Sequence, residues 1–143
     1  MGWERVYTVH DYWDGPRSGV AEVFGVPHAF RCIFDETADD YTDRFLVSQI
    51  TDQDLALVLE DWDIWTRWKA SFDVGSTTLD THPALPADRS RHEEIAIQLA
   101  NAFMVNPGCQ AEMRASFRRI AGEPVPDGVD EFEVEWSKIT DHL

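Results

Sequence analysis

Through most of the first fifty residues, apolar and polar positions alternate with the period of a β-strand. Arg5 to His10 is a short β-prone run, and it gives way to a turn-rich loop, Asp11 to Ser18, containing Gly15-Pro16. Two further runs, Gly19 to Phe24 and His28 to Phe34, flank Gly25-Val26-Pro27, the pattern of a hairpin with a short loop. Phe30, Cys32 and Phe34 share one face by that period, and Ile33 adds apolar bulk to the other. After an acidic bend (Asp35, Glu36, Asp39, Asp40), Arg44 to Ile50 predicts a fourth strand.

The period then changes. Thr51 with Asp54 three residues on resembles a capping box and predicts a helix running to about Phe72. Leu55, Val58, Leu59, Trp62, Trp65 and Phe72 recur at steps of three and four. Leu57, Ile64 and Trp68 widen that stripe past half the circumference, so the helix should be covered on two sides. A loop with two prolines, Thr81-His82-Pro83-Ala84-Leu85-Pro86, leads to a second capping box at Ser90 and Glu93. The helix it opens carries Ile95, Leu99, Ala102 and Phe103 on one side and ends near Asn106-Pro107-Gly108. Cys109 to Phe117 alternates strictly and reads as a strand, although Ala, Glu, Met and Arg favour helix by propensity. A turn at Glu123 to Gly128 precedes a last strand, with Phe132, Val134 and Trp136 alternating with Glu131, Glu133 and Glu135. The order β-β-β-β-α-α-β-β predicts one α+β domain over residues 1–143: a largely antiparallel sheet of about six strands, with two helices packed on one face.

Composition narrows the partners. The chain has 143 residues with 43% apolar and 27% charged side chains, enough for one domain with its own core. Its 27 acidic and 12 basic side chains give a net charge of −15, which argues against nucleic acid and anionic membrane surfaces as partners. No apolar run approaches the ~20 residues of a membrane span. The N-terminus lacks the basic and apolar regions of a secretory signal. Cys32 and Cys109 lie far apart among apolar neighbours and form no CxxC motif, as expected of reduced core thiols in a cytoplasmic protein.

The residue types of a site concentrate in His10-Asp11-Tyr12-Trp13-Asp14-Gly15-Pro16-Arg17-Ser18-Gly19, with His28 opening the next strand but one. His10, Asp11 and His28 could serve as acid and base near neutral pH. The alternative is structural: Asp11 and Asp14 stabilise a turn and His10 ends a strand. No HxxxH, HExxH or HxH spacing is present, so no metal ligand set is assigned. Arg17, between glycines 15 and 19, could clamp a carboxylate or phosphate on a ligand; in so acidic a chain an internal ion pair competes with that role. Asp61 falls between Trp65 and Trp68 inside the apolar stripe. It is either a desolvated acid or base in a Trp-lined pocket, or half of a buried pair with an arginine such as Arg17 or Arg44. Trp62, Trp65 and Trp68 could stack on a sugar or flat ligand or simply be core; His82, before Pro83, is a third candidate member of a His site with His10 and His28, and His92 and His142 look solvated. No nucleophile motif, P-loop or dinucleotide fingerprint occurs, and no cofactor is implied.

Val9-His10-Asp11-Tyr12, Asp14-Gly15-Pro16-Arg17-Ser18-Gly19, Gly25 with Pro27-His28, the Trp62 to Trp68 helix and Thr81-His82-Pro83 together resemble a small family of uncharacterised bacterial cytosolic proteins. The resemblance spans roughly residues 3 to 137 and implies bacterial origin; it carries no activity with it. Two functions follow from the residues. One is a small-molecule binding or catalytic pocket between the N-terminal loop and hairpin and the Trp-rich helix, using His10, Asp11, Arg17, His28, Asp61, Trp65, Trp68 and His82. The other is an acidic interaction module without catalysis that takes a basic protein partner, through Asp35 to Asp43 and the face of Glu131, Glu133 and Glu135. The wide apolar stripe of the first helix also allows a homodimer.

Overall fold

The computed structural model describes residues 2–100, 110–120 and 131–139. The chain divides into two compact units, one built from strands and one from helices.

Among the described residues the strand unit has six members: β1 (Glu4–Tyr12), β2 (Pro16–Val23), β3 (Val26–Asp35), β4 (Asp40–Gln49), β5 (Gln110–Arg119) and β6 (Phe132–Lys138). Every neighbour pairs antiparallel, in the order β1-β2-β3-β4-β5-β6. The expected class, α+β with a six-stranded antiparallel sheet, is present. The expected open sheet with helices on one face is not, because the two would-be edges pair with each other. Glu4 sits opposite Val134 and Arg5 opposite Glu133, and the sheet closes into a barrel. Closure satisfies the backbone groups that an open sheet would leave at its edges.

A barrel this narrow is filled by its own inward-facing side chains. Ala21, Val23, Phe30, Cys32, Phe45, Val47, Met113, Val134 and Trp136 form the interior cluster. Phe30, Phe45, Phe117 and Trp136 meet with ring centroids 5.5–6.2 Å apart, in tilted or edge-to-face arrangements that suit the aromatic quadrupole. The indole N–H of Trp136 donates to the Glu22 carbonyl at 2.8 Å, so its one polar atom is satisfied inside an apolar core. The alternation of residues 109–118 therefore reports a strand. Helix propensity is overridden because Met113, Ala115 and Phe117 have a barrel interior to fill.

Two local irregularities shape the barrel. On β1, Val6 pairs with Ala21 but Thr8 with Val20, an extra residue that makes a bulge. The Thr8 hydroxyl, 1% exposed, accepts the Val20 N–H at 3.1 Å. Here β1 and β2 approach so closely that a Cβ on Gly19 would lie 2.1 Å from the Thr8 carbonyl oxygen. Gly19 thus serves strand contact and not ligand approach. At the β2–β3 hairpin, Phe24 and Gly25 both take positive φ, 53° and 79°. Two such residues in succession are what a tight two-residue hairpin requires. The Glu4 carboxylate accepts both of their N–H groups, at 3.1 and 2.6 Å, and holds the turn.

The helical unit contains α1 (Asp52–Asp73) and α2 (Arg89–Leu99), joined through two short 3₁₀ turns at Leu79–Thr81 and Pro86–Asp88. Val58, Ile64 and Trp68 of α1 and Ile95 and Leu99 of α2 are buried. The expected capping box at Ser90 is not used. The residue before α2 is Asp88, and its carboxylate turns to Arg67 of α1 with two 3.0 Å bonds and not to the helix end. Arg91 likewise grips Glu60 at 2.6 and 2.8 Å. The end of α2 beyond residue 100 and the turn at Glu123 to Gly128 lie outside the described residues.

Replacing Gly19 by Ala forces backbone apart at the bulge, and chemical denaturation is expected to show a loss of about 3 kcal/mol. Phe24→Asn should act oppositely. Asparagine tolerates the left-handed region at lower cost, so the same measurement should register a gain of about 0.5–1 kcal/mol.

Candidate functional site

Among the described residues, the end of the barrel where β1 ends, β2 begins, β4 begins, β5 ends and β6 begins holds a cavity of about 540 Å³. That volume is within the range of small-molecule pockets. Phe45, Ala115 and Phe117 belong to its apolar floor, continuous with the barrel core, and Tyr12, Tyr41 and Phe132 add rings to its walls. Tyr12 and Phe132 lie against each other with centroids 6.0 Å apart.

Among the described lining residues, charge enters at the rim, from Arg17, Arg118, Arg119, Asp14 and Asp43. Three cations against two carboxylates in that described lining contrast with a chain of 27 acids and 12 bases. Arg118 is neutralised by Glu133 at 3.0 Å and lies over the Trp3 ring. Asp43 is directed to Arg114, 3.4 Å away. Arg119 pairs across the ladder with Phe132, on the inward row of β5 that also carries Phe117, Ala115 and Met113.

Arg17 is held differently. Its Nε donates to the Trp13 carbonyl at 2.7 Å and its Nη2 to the Asp14 carbonyl at 3.1 Å, fixing the β1–β2 turn. Its Nη1 reaches the Cys32 sulfur at 3.7 Å, and its guanidinium lies 4.6 Å from the centre of the Tyr41 ring. Among the described residues no carboxylate forms an ion pair with it, so the internal pair weighed for Arg17 is absent. Its charge is positioned by neutral groups. Cys32 beside it is buried and donates to the Thr42 carbonyl at 3.1 Å; burial pushes its thiol pKa up, against the pull of Arg17.

The other residues singled out in the barrel are elsewhere. Asp11 accepts from the Ser18 hydroxyl at 2.8 Å, closing the strand pair beside the turn. His10 is exposed on β1. His28 pairs with Ala21, four residues along β2 from Arg17, or about 13 Å down the barrel. Its Nδ1–H donates to the Val26 carbonyl at 2.7 Å. Of these four, only Arg17 lines the cavity.

In the helical unit Asp61 meets His92 of α2, Nδ1 to carboxylate 2.7 Å, so the arginine partner expected for it is replaced by a histidine expected to be solvated. Trp65 stacks on Trp62 with centroids 4.9 Å apart. Trp68 is buried, stacks on Phe72, meets His82 edge-on at 4.6 Å and donates its indole N–H to Thr81 at 2.8 Å. Trp68 and His82 are thus brought together, while Asp61 is turned to the clamp between helices. His142 lies outside the described residues.

The acidic bend is exposed, with Asp35 spent on the N–H groups of Thr37 and Ala38 in its own turn. Among the described residues, no three His, Cys, Asp or Glu side chains form a metal-binding group. No described helix is long and apolar enough to cross a membrane.

Arg119, Phe132, Tyr41 and Phe117 were not singled out from the sequence. The signal for Arg119 lay in the alternation of β5: one more step along the row Met113, Ala115, Phe117 lands on an arginine at the strand end. Finding the mouth also required knowing that the sheet closes. No protein-family model, curated protein or solved structure matches this chain.

The helix clamp has a pH signature. Arg91 holds the Glu60 carboxyl, and Arg67 the Asp88 carboxyl, below the ordinary carboxylate range. A lowered folded-state pKa stabilises above the unfolded value, and that contribution is lost as pH falls through the lowered one. The double variant Arg67→Gln/Arg91→Gln should therefore melt below wild type at pH 7, by a modest margin because these pairs are exposed. The gap between the two melting curves is expected to close as pH drops from about 5 to about 2. A gap that persists unchanged in acid would assign the loss to packing.

Proposed function

We propose that this protein binds a small organic molecule in the open mouth of its barrel, without catalysing a reaction there. The single observation that carries this reading is the 540 Å³ cavity with an apolar floor and a polar rim. Its floor joins the buried Phe45 to the partly buried Ala115 and Phe117, and covering the apolar surface that the latter two still expose is favourable. The rim offers groups that can orient a ligand, and among the described residues no histidine and no serine lines the cavity. The N-terminal loop contributes Tyr12, Asp14, Gly15, Pro16 and Arg17, so the sequence's richest loop supports a binding role.

The test uses a neutral fluorescent reporter of apolar sites, N-phenyl-1-naphthylamine. Saturable binding of one probe per chain is expected. Ala115→Leu, which fills the floor, should weaken that binding about tenfold while leaving the far-UV spectrum unchanged. Probe binding indifferent to Ala115→Leu would place the apolar site elsewhere and end this reading.

A further inference from the structure

Granting the ligand site just proposed, the arrangement of charge around it points to the class of ligand: we infer that the mouth takes a flat aromatic anion, a carboxylate or sulfonate, with its ring system down and its charged group at the rim. The inference rests on three features.

The first is where the two charges stand. Arg17 belongs to β2 and Arg119 to β5, three strands apart in a closed ring of six, so they face each other across the mouth. Both line the same cavity, and a guanidinium offers a planar fork of donors to an anionic group held there.

The second is what holds Arg17. Arg44, Arg67, Arg91, Arg114 and Arg118 each find a carboxylate in this acidic chain. Arg17 is fixed by two main-chain carbonyls and the face of Tyr41. Neutral acceptors orient the guanidinium without cancelling its charge, so an arriving anion meets a cation already positioned and, among the described residues, has no internal carboxylate to displace. Asp14 and Asp43 also line the rim. Asp43 is directed to Arg114, and Asp14 sits on the exposed turn.

The third is the polarity gradient. Tyr12, Tyr41, Phe45, Phe117 and Phe132 supply rings below the rim, whereas every charged group is at the top. A neutral ligand would use the floor and gain nothing from the positioned charge of Arg17. An inorganic anion would use the cations and leave the floor wet. Only an amphipathic anion uses both, and planar rings match walls made of aromatic faces.

The decisive comparison pairs two probes with the same ring system. 1-Anilinonaphthalene-8-sulfonate carries the anion; N-phenyl-1-naphthylamine lacks it. Wild-type protein is expected to bind the sulfonate at least about tenfold more tightly than the amine. Arg119→Gln, at an exposed strand end where folding is insensitive, should cost about tenfold on the sulfonate and less than about twofold on the amine. Arg17→Gln should do the same, with the Arg17→Lys variant only partly restoring affinity because the fork is lost. Equal affinity for the two probes, both weakened by Ala115→Leu, would overturn the anion preference and leave the pocket standing. Sulfonate binding that ignores Arg119→Gln would overturn it as well. If Ala115→Leu changes neither probe, the pocket itself is not the site and both conclusions fall.

Discussion

The constraint on which the barrel depends is the volume inside a ring of six strands. A six-membered ring has a narrow interior, and its cross-section must be plugged by side chains that its own strands turn inward. Trp136 provides most of the plug. It is 1% exposed, touches Phe30, Phe45 and Phe117 at edge-to-face angles, and spends its indole N–H on a strand carbonyl. Because one large ring fills the middle, the small residues Ala21 and Gly19 can line β2, and β1 can lie close enough to need a glycine against the Thr8 carbonyl. The cavity at the mouth follows from the same arithmetic of volume. The aromatic cluster closes the barrel below, and above it the strands end in Arg17, Arg119 and Phe132, which line the opening without filling it.

Charge is organised on two levels. In the helical unit, acids and bases are spent on each other: Glu60 with Arg91, Asp88 with Arg67, Asp61 with His92. These contacts tie α1 to α2, and they combine Glu60, on the polar side of α1, with Asp61, inside its apolar stripe. At the barrel mouth the opposite holds for Arg17, whose partners are neutral. An arginine without a carboxylate in a chain of net charge −15 is a departure from what simple abundance predicts. Local geometry explains it: the turn carbonyls of Trp13 and Asp14 point at the guanidinium, and Asp11 beside them is already taken by Ser18.

Much of the architecture was legible as periodicity. The strands at 4–12, 26–35, 40–49 and 110–119 and the long helix at 52–73 follow alternation or steps of three and four, within a few residues at their ends. The second strand begins three residues earlier than expected because Pro16 needs no ladder donor at a strand's first position. Closure was not legible. It depends on Glu4 and Arg5 meeting residues 133 and 134, a pairing with no local signature. For the same reason the site was half visible. Arg17 stood out by its glycine neighbours, whereas Arg119 and Phe132 look like ordinary strand ends until the ring is drawn. Asp61 was conspicuous among tryptophans, but its partner His92 lies 31 residues away on the second helix, one turn before Ile95 on its buried face, where nothing local ties it to an acid.

The helices stand between β4 and β5 in sequence, and those strands are neighbours in the ring. Arg44 and Glu112, which bridge them, are 68 residues apart. Strands β1 to β4 form a meander whose contacts are all between sequence neighbours, so it can assemble from short loops. Joining β5 to β4 instead closes a loop some fifteen times longer than a hairpin turn, an entropic difference of about 2–3 kcal/mol. Two of the six seams, β4–β5 and β1–β6, therefore form against a longer search than the rest. Until they form, the open meander presents two unpaired strand edges and an unfilled interior, since Trp136 arrives only with the last strand. The interval before closure is when this chain is most exposed to pairing with the wrong partner, and its heavy negative charge then keeps copies of it apart.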